Sequence, residues 1–300
     1  MLALALAAAP GSGSAQDVPA IRIGTTPIDA GAEPYFARQM GFFKNAGINV
    51  EITALASGAA LAAGVASGAI DIGQSNVVSI SSAHDRGIPF VLLAPASLYS
   101  WKQPQSALAV AANSPLRTAK DLNGKVIAVN GLKTISQLGP EAWLDQNGGN
   151  LALVRFIEMP FPEMEDALDK GRIDAALLSE PVLSDARSRG IRVMANVYDA
   201  IGKEFTIGAW FTTSAWAHDH PDLVRKYVAV MKQTARWANT HHVESAQILQ
   251  AETGTPVSAT TTRVVFGESL DERQIQSLID ACAKYGVIRA RFPATDIIAR

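Results

Sequence analysis

A four-residue phrase that occurs twice constrains this chain more than its size or charge. Gly-x-Ile-Asp stands at Gly68–Asp71 and again at Gly171–Asp174, roughly a hundred residues further on in a chain of 300. The flanking patterns match as well. Before the first copy, Ile21–Gly24 reads as a short apolar strand, Pro34 opens a helix with Phe36, Met40 and Phe43 on one face, and Gly47 stops it. Val50–Leu55 is the next strand, Ser57 caps a small-residue helix over Gly58–Ser67, and the phrase then leads a third strand to Gln74-Ser75-Asn76. Asn76 caps a helix to Arg86. Before the second copy, Lys125–Val129 is a strand, Asn130–Ser136 a polar loop, and Pro140–Gln146 the body of a helix stopped by Gly148-Gly149. Val154–Ile157 and Pro162–Lys170 follow as strand and helix, and the third strand runs to Ser179-Glu180-Pro181.

Strands alternating with helices imply parallel pairing through right-handed crossovers. The expected fold class is therefore α/β, two βαβαβ lobes with mainly parallel sheets joined by two hinge crossovers. Ile88–Ala94 and Ala107–Ala112 read as the exit from the first lobe, Ile191–Ala195 and Ile207–Thr213 as the exit from the second. Lobe I then comprises 20–106 plus 210–300, and lobe II 107–209. The rest reads as helices over Pro221–Thr240, His242–Thr253, Ser258–Val265 and Asp271–Tyr285, expected to pack back on lobe I.

Composition removes several function classes. With 26 basic and 28 acidic side chains the net charge is −2, which does not suit a nucleic-acid or anionic-membrane binder. An apolar share of 48% can fill a large core. The single cysteine, Cys282, allows no intrachain disulfide and no cysteine-based zinc cluster; with Ile275, Leu278 and Ile279 it falls on one helix face and reads as core. None of the five histidines has metal-ligand spacing; His218 and His220 flank Asp219 at a helix start, where capping is a simpler reading than zinc. No dinucleotide or Walker loop occurs, so no cofactor is expected. Gly73-Gln74-Ser75-Asn76-Val77 begins like a nucleophile elbow but has Val77 where the closing glycine belongs.

The apolar run Leu2–Ala9 followed by small residues at Gly13 and Ala15 reads as a signal-peptide remnant over 1–15, hence a periplasmic or otherwise extracytoplasmic protein. The uncharged stretch Ile52–Ile70 could span a bilayer by length, but its glycines and serines read as strand, turn and helix.

In open parallel sheets a ligand sits beyond the carboxyl ends of the strands, against helix N-termini. Lobe I places Thr25, Thr26 and Asp29, then Ser57 and Gly58, then Gln74, Ser75 and Asn76 there; lobe II places Asn130, Lys133, Thr134 and Ser136, then Phe161, then Glu180. Trp210, on the returning strand, can face the cleft, and Trp101 adds flat apolar surface. Ser57, Asn76 and Ser136 also read as plain helix caps. Asp29 and Glu180 are candidate partners for an ammonium group; for Asp29 a solvated loop charge is the simpler reading.

Several of these segments resemble the solute-binding proteins of ABC importers in the nitrate, sulfonate and taurine group. They are Ile21–Gly24, Pro34-Tyr35-Phe36-Ala37, Gly41–Ile48, Leu55-Ala56-Ser57-Gly58, Gly68–Gly73 and Leu122–Val129. The resemblance covers 21–237 and implies a monomeric periplasmic binding protein of the type II arrangement, which closes on a small solute and delivers it to inner-membrane permease subunits. The group also includes binders of thiamine pyrimidine precursors. Related sulfinate-cleaving enzymes carry a nucleophilic cysteine in the cleft, and pyrimidine-forming ones a cysteine-rich segment; this chain has neither, which leaves Glu180 and Lys133 as the only groups to test for catalysis. The expectation is a non-enzymatic carrier of an organic sulfonate, taurine or aromatic carboxylate, preferred over bare nitrate, hinged near Ala107 and Ile207. The alternative is an aminopyrimidine or thiamine-precursor binder or enzyme on the same fold.

Overall fold

The computed structural model describes residues 20–299 apart from 56, 255, 256 and 258–260. The segment read as an export signal lies outside the described residues, as does part of the helix expected over Ser258–Val265. Among the described residues thirteen strands form in chain order: β1 (Ile21–Thr25), β2 (Val50–Ala54), β3 (Ile72–Asn76), β4 (Phe90–Pro95), β5 (Ser97–Ser100), β6 (Ser106–Val110), β7 (Val126–Val129), β8 (Arg155–Glu158), β9 (Ala175–Ser179), β10 (Arg192–Ala195), β11 (Glu204–Thr206), β12 (Gly208–Thr213) and β13 (Val265–Phe266).

The repeat is a structural one. One five-stranded sheet runs β2-β1-β3-β12-β4 and the other β8-β7-β9-β6-β10, so each strand has a counterpart at the same place in the other sheet. In each sheet the first three strands are parallel and the fourth runs against both neighbours. That fourth strand is the one that has just crossed over: β12 enters the first sheet after lobe II, β6 the second after lobe I. The repeated phrase has a physical job. Gly68 and Gly171 take positive φ (74° and 64°), Ile70 and Ile173 are buried, and the aspartate Oδ2 accepts a backbone N–H beside the first strand of its lobe, from Arg22 at 2.8 Å and from Val126 at 2.9 Å.

The crossovers differ from expectation. They are separate short strands, β5 and β11, paired antiparallel and joined by β13 into a small third sheet. Val265–Phe266 is thus strand where a helix end was expected. The helix Pro221–Ala238 buries a 3.6-residue stripe, Tyr227, Val230 and Met231 against the first sheet and Ala235 and Ala238 against Phe36, Leu249 and Phe266. The last helix, Glu272–Lys284, does not pack on lobe I alone. It lies against the helix Val77–Asp85 of lobe I and against β11, and its end meets lobe II where Asp145 accepts from Lys284 Nζ at 2.8 Å and Tyr285 OH at 2.9 Å. One apolar cluster runs through both lobes and the hinge, from Leu61 and Phe211 through Tyr99 and Phe205 to Leu108, Leu138 and Leu144, and includes Cys282. Burial pushes the Cys282 thiol up to about 12, so at neutral pH it is a small core hydrophobe and not a thiolate.

Among the described residues no helix is long and apolar enough to cross a membrane. Ile52–Ile70 resolves into the end of β2, the helix Gly58–Ala66 and the approach to β3.

Candidate functional site between the lobes

Both lobes point strand ends and helix starts at the same gap. In lobe I the helix Gly58–Ala66 starts where the chain leaves β2. Its cap Ser57 is exposed, and Ser57 Oγ accepts from Ala60 N at 3.3 Å. That bond leaves the first N–H groups of the helix to whatever lies in front of them. Beside them is Ser75 near the end of β3, 2% exposed, whose hydroxyl has no hydrogen-bond partner among the described residues. A Cβ on Gly58 would sit 2.6 Å from Ser75 Oγ, so glycine is what lets the helix start lie directly on this hydroxyl. Asn76 is the cap of the next helix, Oδ1 accepting from Ser79 N at 2.9 Å. The buried Thr26 Oγ1 and, where β5 begins, Ser97 Oγ are likewise unpartnered. Ser97 and Gln74 both crowd Gly208, the first residue of β12, which puts these polar groups together on the hinge side. Ser97 carries no sequence signal; only the pairing of β5 places it there.

Lobe II supplies the facing arrangement. Asn130 is exposed after β7, and the helix Ile135–Gln146 is capped by Thr134, which donates to Gly131 O at 2.8 Å and lies 2.7 Å from Ser136 Oγ. Ser136 is buried, the second residue of that helix. Lys133 adopts φ 55°, an uncommon left-handed conformation for a side chain of this type, and its N–H reaches Gln137 Oε1 at 2.8 Å. Phe161 begins the helix after β8 and packs in part on the lobe II core. Glu180 follows β9, is 8% exposed, and accepts from Ser184 N at 3.0 Å and Ser184 Oγ at 2.9 Å. Its carboxyl is raised by burial; Ser184 and the charge of Arg187 pull it down, and the charge of Asp29 on the opposite lobe pushes it further up.

Two expectations are corrected. Asp29 is neither a solvated loop charge nor a free ammonium partner: it is 3% exposed, takes Arg263 Nε and Nη2 at 2.9 and 2.7 Å, and accepts from Val264 N at 3.0 Å. Trp210 does not face the cleft. It is fully buried on the helix-covered side of the first sheet, edge-on to Tyr227, and donates Nε1–H to Glu33 Oε2 at 2.7 Å. The Trp210 error has a plain cause: β12 is buried along nearly its whole length, so alternation could not tell which side the indole takes. Trp101 is exposed in the turn after β5, under Lys203 Nζ.

Glu33, which sequence reasoning passed over, is fully buried, and among the described residues neither its Oε1 nor the buried Tyr227 hydroxyl has a hydrogen-bond partner. Burial raises its carboxyl well above the usual range, opposed by the Trp210 hydrogen bond. Because the folded state holds this proton more tightly than the unfolded chain, Glu33 costs stability as pH climbs from the ordinary carboxyl value towards the raised one. Glu33→Gln is expected to flatten the fall in Tm between pH 5 and 8 and to raise Tm at the upper end; an unchanged pH profile would show that Glu33 does not titrate in this window.

Hydroxyls and helix starts thus stand at the strand ends of both lobes. Ser75 sits inside β3, not on a turn, so it lacks the strained elbow of an acyl-transfer serine. Among the described residues no group of three or more His, Cys, Asp or Glu side chains could hold a metal ion. The sequence model of the family described as NMT1/THI5 like matches residues 31–245. The chain belongs to the NMT1/THI5-like family. Among its relatives in sequence is a putative aliphatic sulfonates-binding protein of Bacillus subtilis strain 168, 26% identical over 246 residues, which are 79% of this chain and 70% of that one. Among solved structures, the periplasmic aliphatic sulphonate binding protein SsuA of Escherichia coli superimposes with TM-score 0.77 over 94% of this chain and 92% of its own, at 18% identity. The desulfurization enzyme DSZB also shares the fold, with TM-score 0.69 over 93% of this chain and 96% of its own, at 13% identity. The fold this chain shares with them is thus found in proteins named as binding proteins and in one named as an enzyme.

Proposed function

We propose that this chain is the solute-binding protein of an ABC importer, exported from the cytoplasm, which captures a small organic anion of the sulfonate, taurine or aromatic carboxylate class between its lobes and hands it to membrane permease subunits. The observation that carries the reading is the start of the helix Gly58–Ala66, whose first N–H groups lie beside the buried Ser75 hydroxyl, which has no partner among the described residues. Such a place stabilises negative charge without a counter-ion. Ser136 and Thr134 at the start of Ile135–Gln146 would act from the other lobe, with Thr26, Asn76, Asn130 and Phe161 around them. Asp29 has a supporting part, fixing the β1 loop through Arg263. Closure would be a rotation about β5 and β11, stabilised only by contacts that one ligand makes to both lobes. The sulfonate-binding names of the relatives support the ligand class, and the burial of the one cysteine supports carriage over catalysis.

A thermal-shift screen against alkanesulfonates, taurine, aromatic carboxylates, nitrate and aminopyrimidines tests this reading. A bound ligand at 100 times its Kd adds about 2.7 kcal/mol. The expected outcome is stabilisation by an organic anion with no product by mass spectrometry; turnover of the hit, or a response to aminopyrimidines alone, would replace the carrier reading with the alternative one.

A further inference from the structure

The helix Ile135–Gln146 of lobe II touches three different places along its length. Its start, capped by Thr134, stands at the strand ends of that lobe. Its middle lies on the hinge: a Cβ on Gly139 would fall 2.4 Å from the Tyr198 ring, and that ring stands edge-on to Tyr99 of β5 and to Phe205 of β11, with centroids 5.6 and 6.1 Å away. Its end, about 9 Å beyond Gly139 along the axis, brings Asp145 to the helix Glu272–Lys284. That second helix is held on lobe I, by its packing on Val77–Asp85 and by Arg289 Nε, 3.1 Å from Asp85 Oδ2. Asp145 Oδ2 accepts from Lys284 Nζ and from Tyr285 OH, and Lys284 Nζ lies 4.9 Å over the Tyr285 ring. A groove of about 330 Å³ runs beside these side chains, between Gln146 and Ile201 on one lobe and Ser277 and Asp280 on the helix opposite, so the lobes are not tightly packed there. Asp145 is badly placed for its own helix. A carboxylate in the last turn meets the negative end of the helix dipole, and that turn holds no basic residue to offset it. The hydrogen bonds from Lys284 and Tyr285 hold its carboxyl below the usual carboxylate range, and both donors lie across the lobe boundary.

A rigid helix that pivots at its middle moves its two ends in opposite senses. We infer that Asp145, Lys284 and Tyr285 form a latch on the far side of the hinge, which holds the empty cleft open and parts when the lobes close on a solute. This rests on the closing-cleft reading above and goes beyond it, because three side chains that touch no ligand then set part of the affinity. A latch that stabilises only the open state weakens binding of every ligand by one common factor, the factor by which it depletes the closed state. Its charged side chains are about half exposed, 58% and 43%, so that factor is modest, about three- to tenfold.

Single-molecule energy transfer between dyes on the two lobes tests the latch without any ligand. Glu51→Cys on β2 and Arg155→Cys on β8 are exposed labelling sites, and the one native cysteine, Cys282, is buried and does not compete. The ligand-free chain is expected to show a major long-distance and a minor short-distance population. Asp145→Ala is expected to raise the short-to-long ratio about three- to tenfold, and Tyr285→Phe to raise it by a smaller factor. Asp166→Ala, which breaks an ion pair inside lobe II, is the control and leaves the ratio unchanged. Calorimetry with ethanesulfonate and 2-aminoethanesulfonate is expected to show Asp145→Ala tightening both by the same factor. An unchanged ratio in Asp145→Ala, or an equal shift in Asp166→Ala, overturns the latch and leaves the cleft reading standing. Failure of both sulfonates to bind overturns that ligand reading, while the ligand-free ratio still decides the latch. One unchanging distance in every sample, with ligand or without, overturns both the latch and the closing cleft.

Discussion

Arg263→Met is expected to destabilise the chain by about 3–5 kcal/mol, because it strands the buried Asp29 carboxylate without its cation. In a protein of this size that is a fall in Tm of roughly 10 °C. The pair is unlike the other ion pairs of the molecule: its side chains are 8% and 4% exposed, whereas Arg22, Lys170 and Arg225 form theirs at the surface. Arg263 grips Asp29 with two parallel N–H groups and sends a third to His242 O at 2.5 Å, so it ties the β1 loop, the start of the helix His242–Thr253 and the β13 approach into one unit. Arg263→Lys keeps the charge but not the fork, and is expected to recover only part of the loss. The exposed pair Arg225–Asp222 is the control, for which removal of either partner shifts stability by less than about 1 kcal/mol. Thermal and urea denaturation measure both; equal, small effects at the two pairs would contradict the buried-pair account.

Gly58→Leu is expected to lower the affinity for the bound anion at least a hundredfold, about 2.7 kcal/mol. The new Cβ would fall 2.6 Å from Ser75 Oγ, and the side chain would fill the space in front of the helix start. Ser75→Ala in the same chain removes the overlap but also the hydroxyl, so it is expected to restore the fold more than the affinity. Ser57→Ala gives the contrast. Ser57 is an exposed cap bonded to its own helix, and its removal should cost about 1 kcal/mol of stability with a much smaller change in binding. If Ser57→Ala harmed affinity more than Gly58→Leu, the anion would sit at the cap side chain and not at the helix backbone.

How much of this was legible depended on distance along the chain. The two sheets could be read because each βαβαβ unit is written locally, with glycine stops and several serine, threonine or asparagine caps; Ser57 and Asn76 do cap the helices expected of them, whereas Thr134 takes the cap position read for Ser136, which lies inside the helix. The hinge could not, because β5 has four residues and β13 two, and neither has a hydrophobic period long enough to see. The environment of Asp29 was illegible for another reason. Its partner is 234 residues away, so nothing near Asp29 distinguishes a buried ion pair from a solvated charge. Trp210 was misplaced because a strand buried on both sides does not alternate. The unpartnered hydroxyls of Ser75 and Ser97 become visible only when neighbours on other strands are known.

The central claim is that one ligand is held by both lobes at once. Hydrogen exchange with and without a saturating alkanesulfonate reads this segment by segment. The expected result is joint protection of the helix starts after Ser57 and Asn76 in lobe I and after Thr134 in lobe II, together with β5 and β11 of the hinge. Protection confined to one lobe, or none in any of these segments, would contradict it.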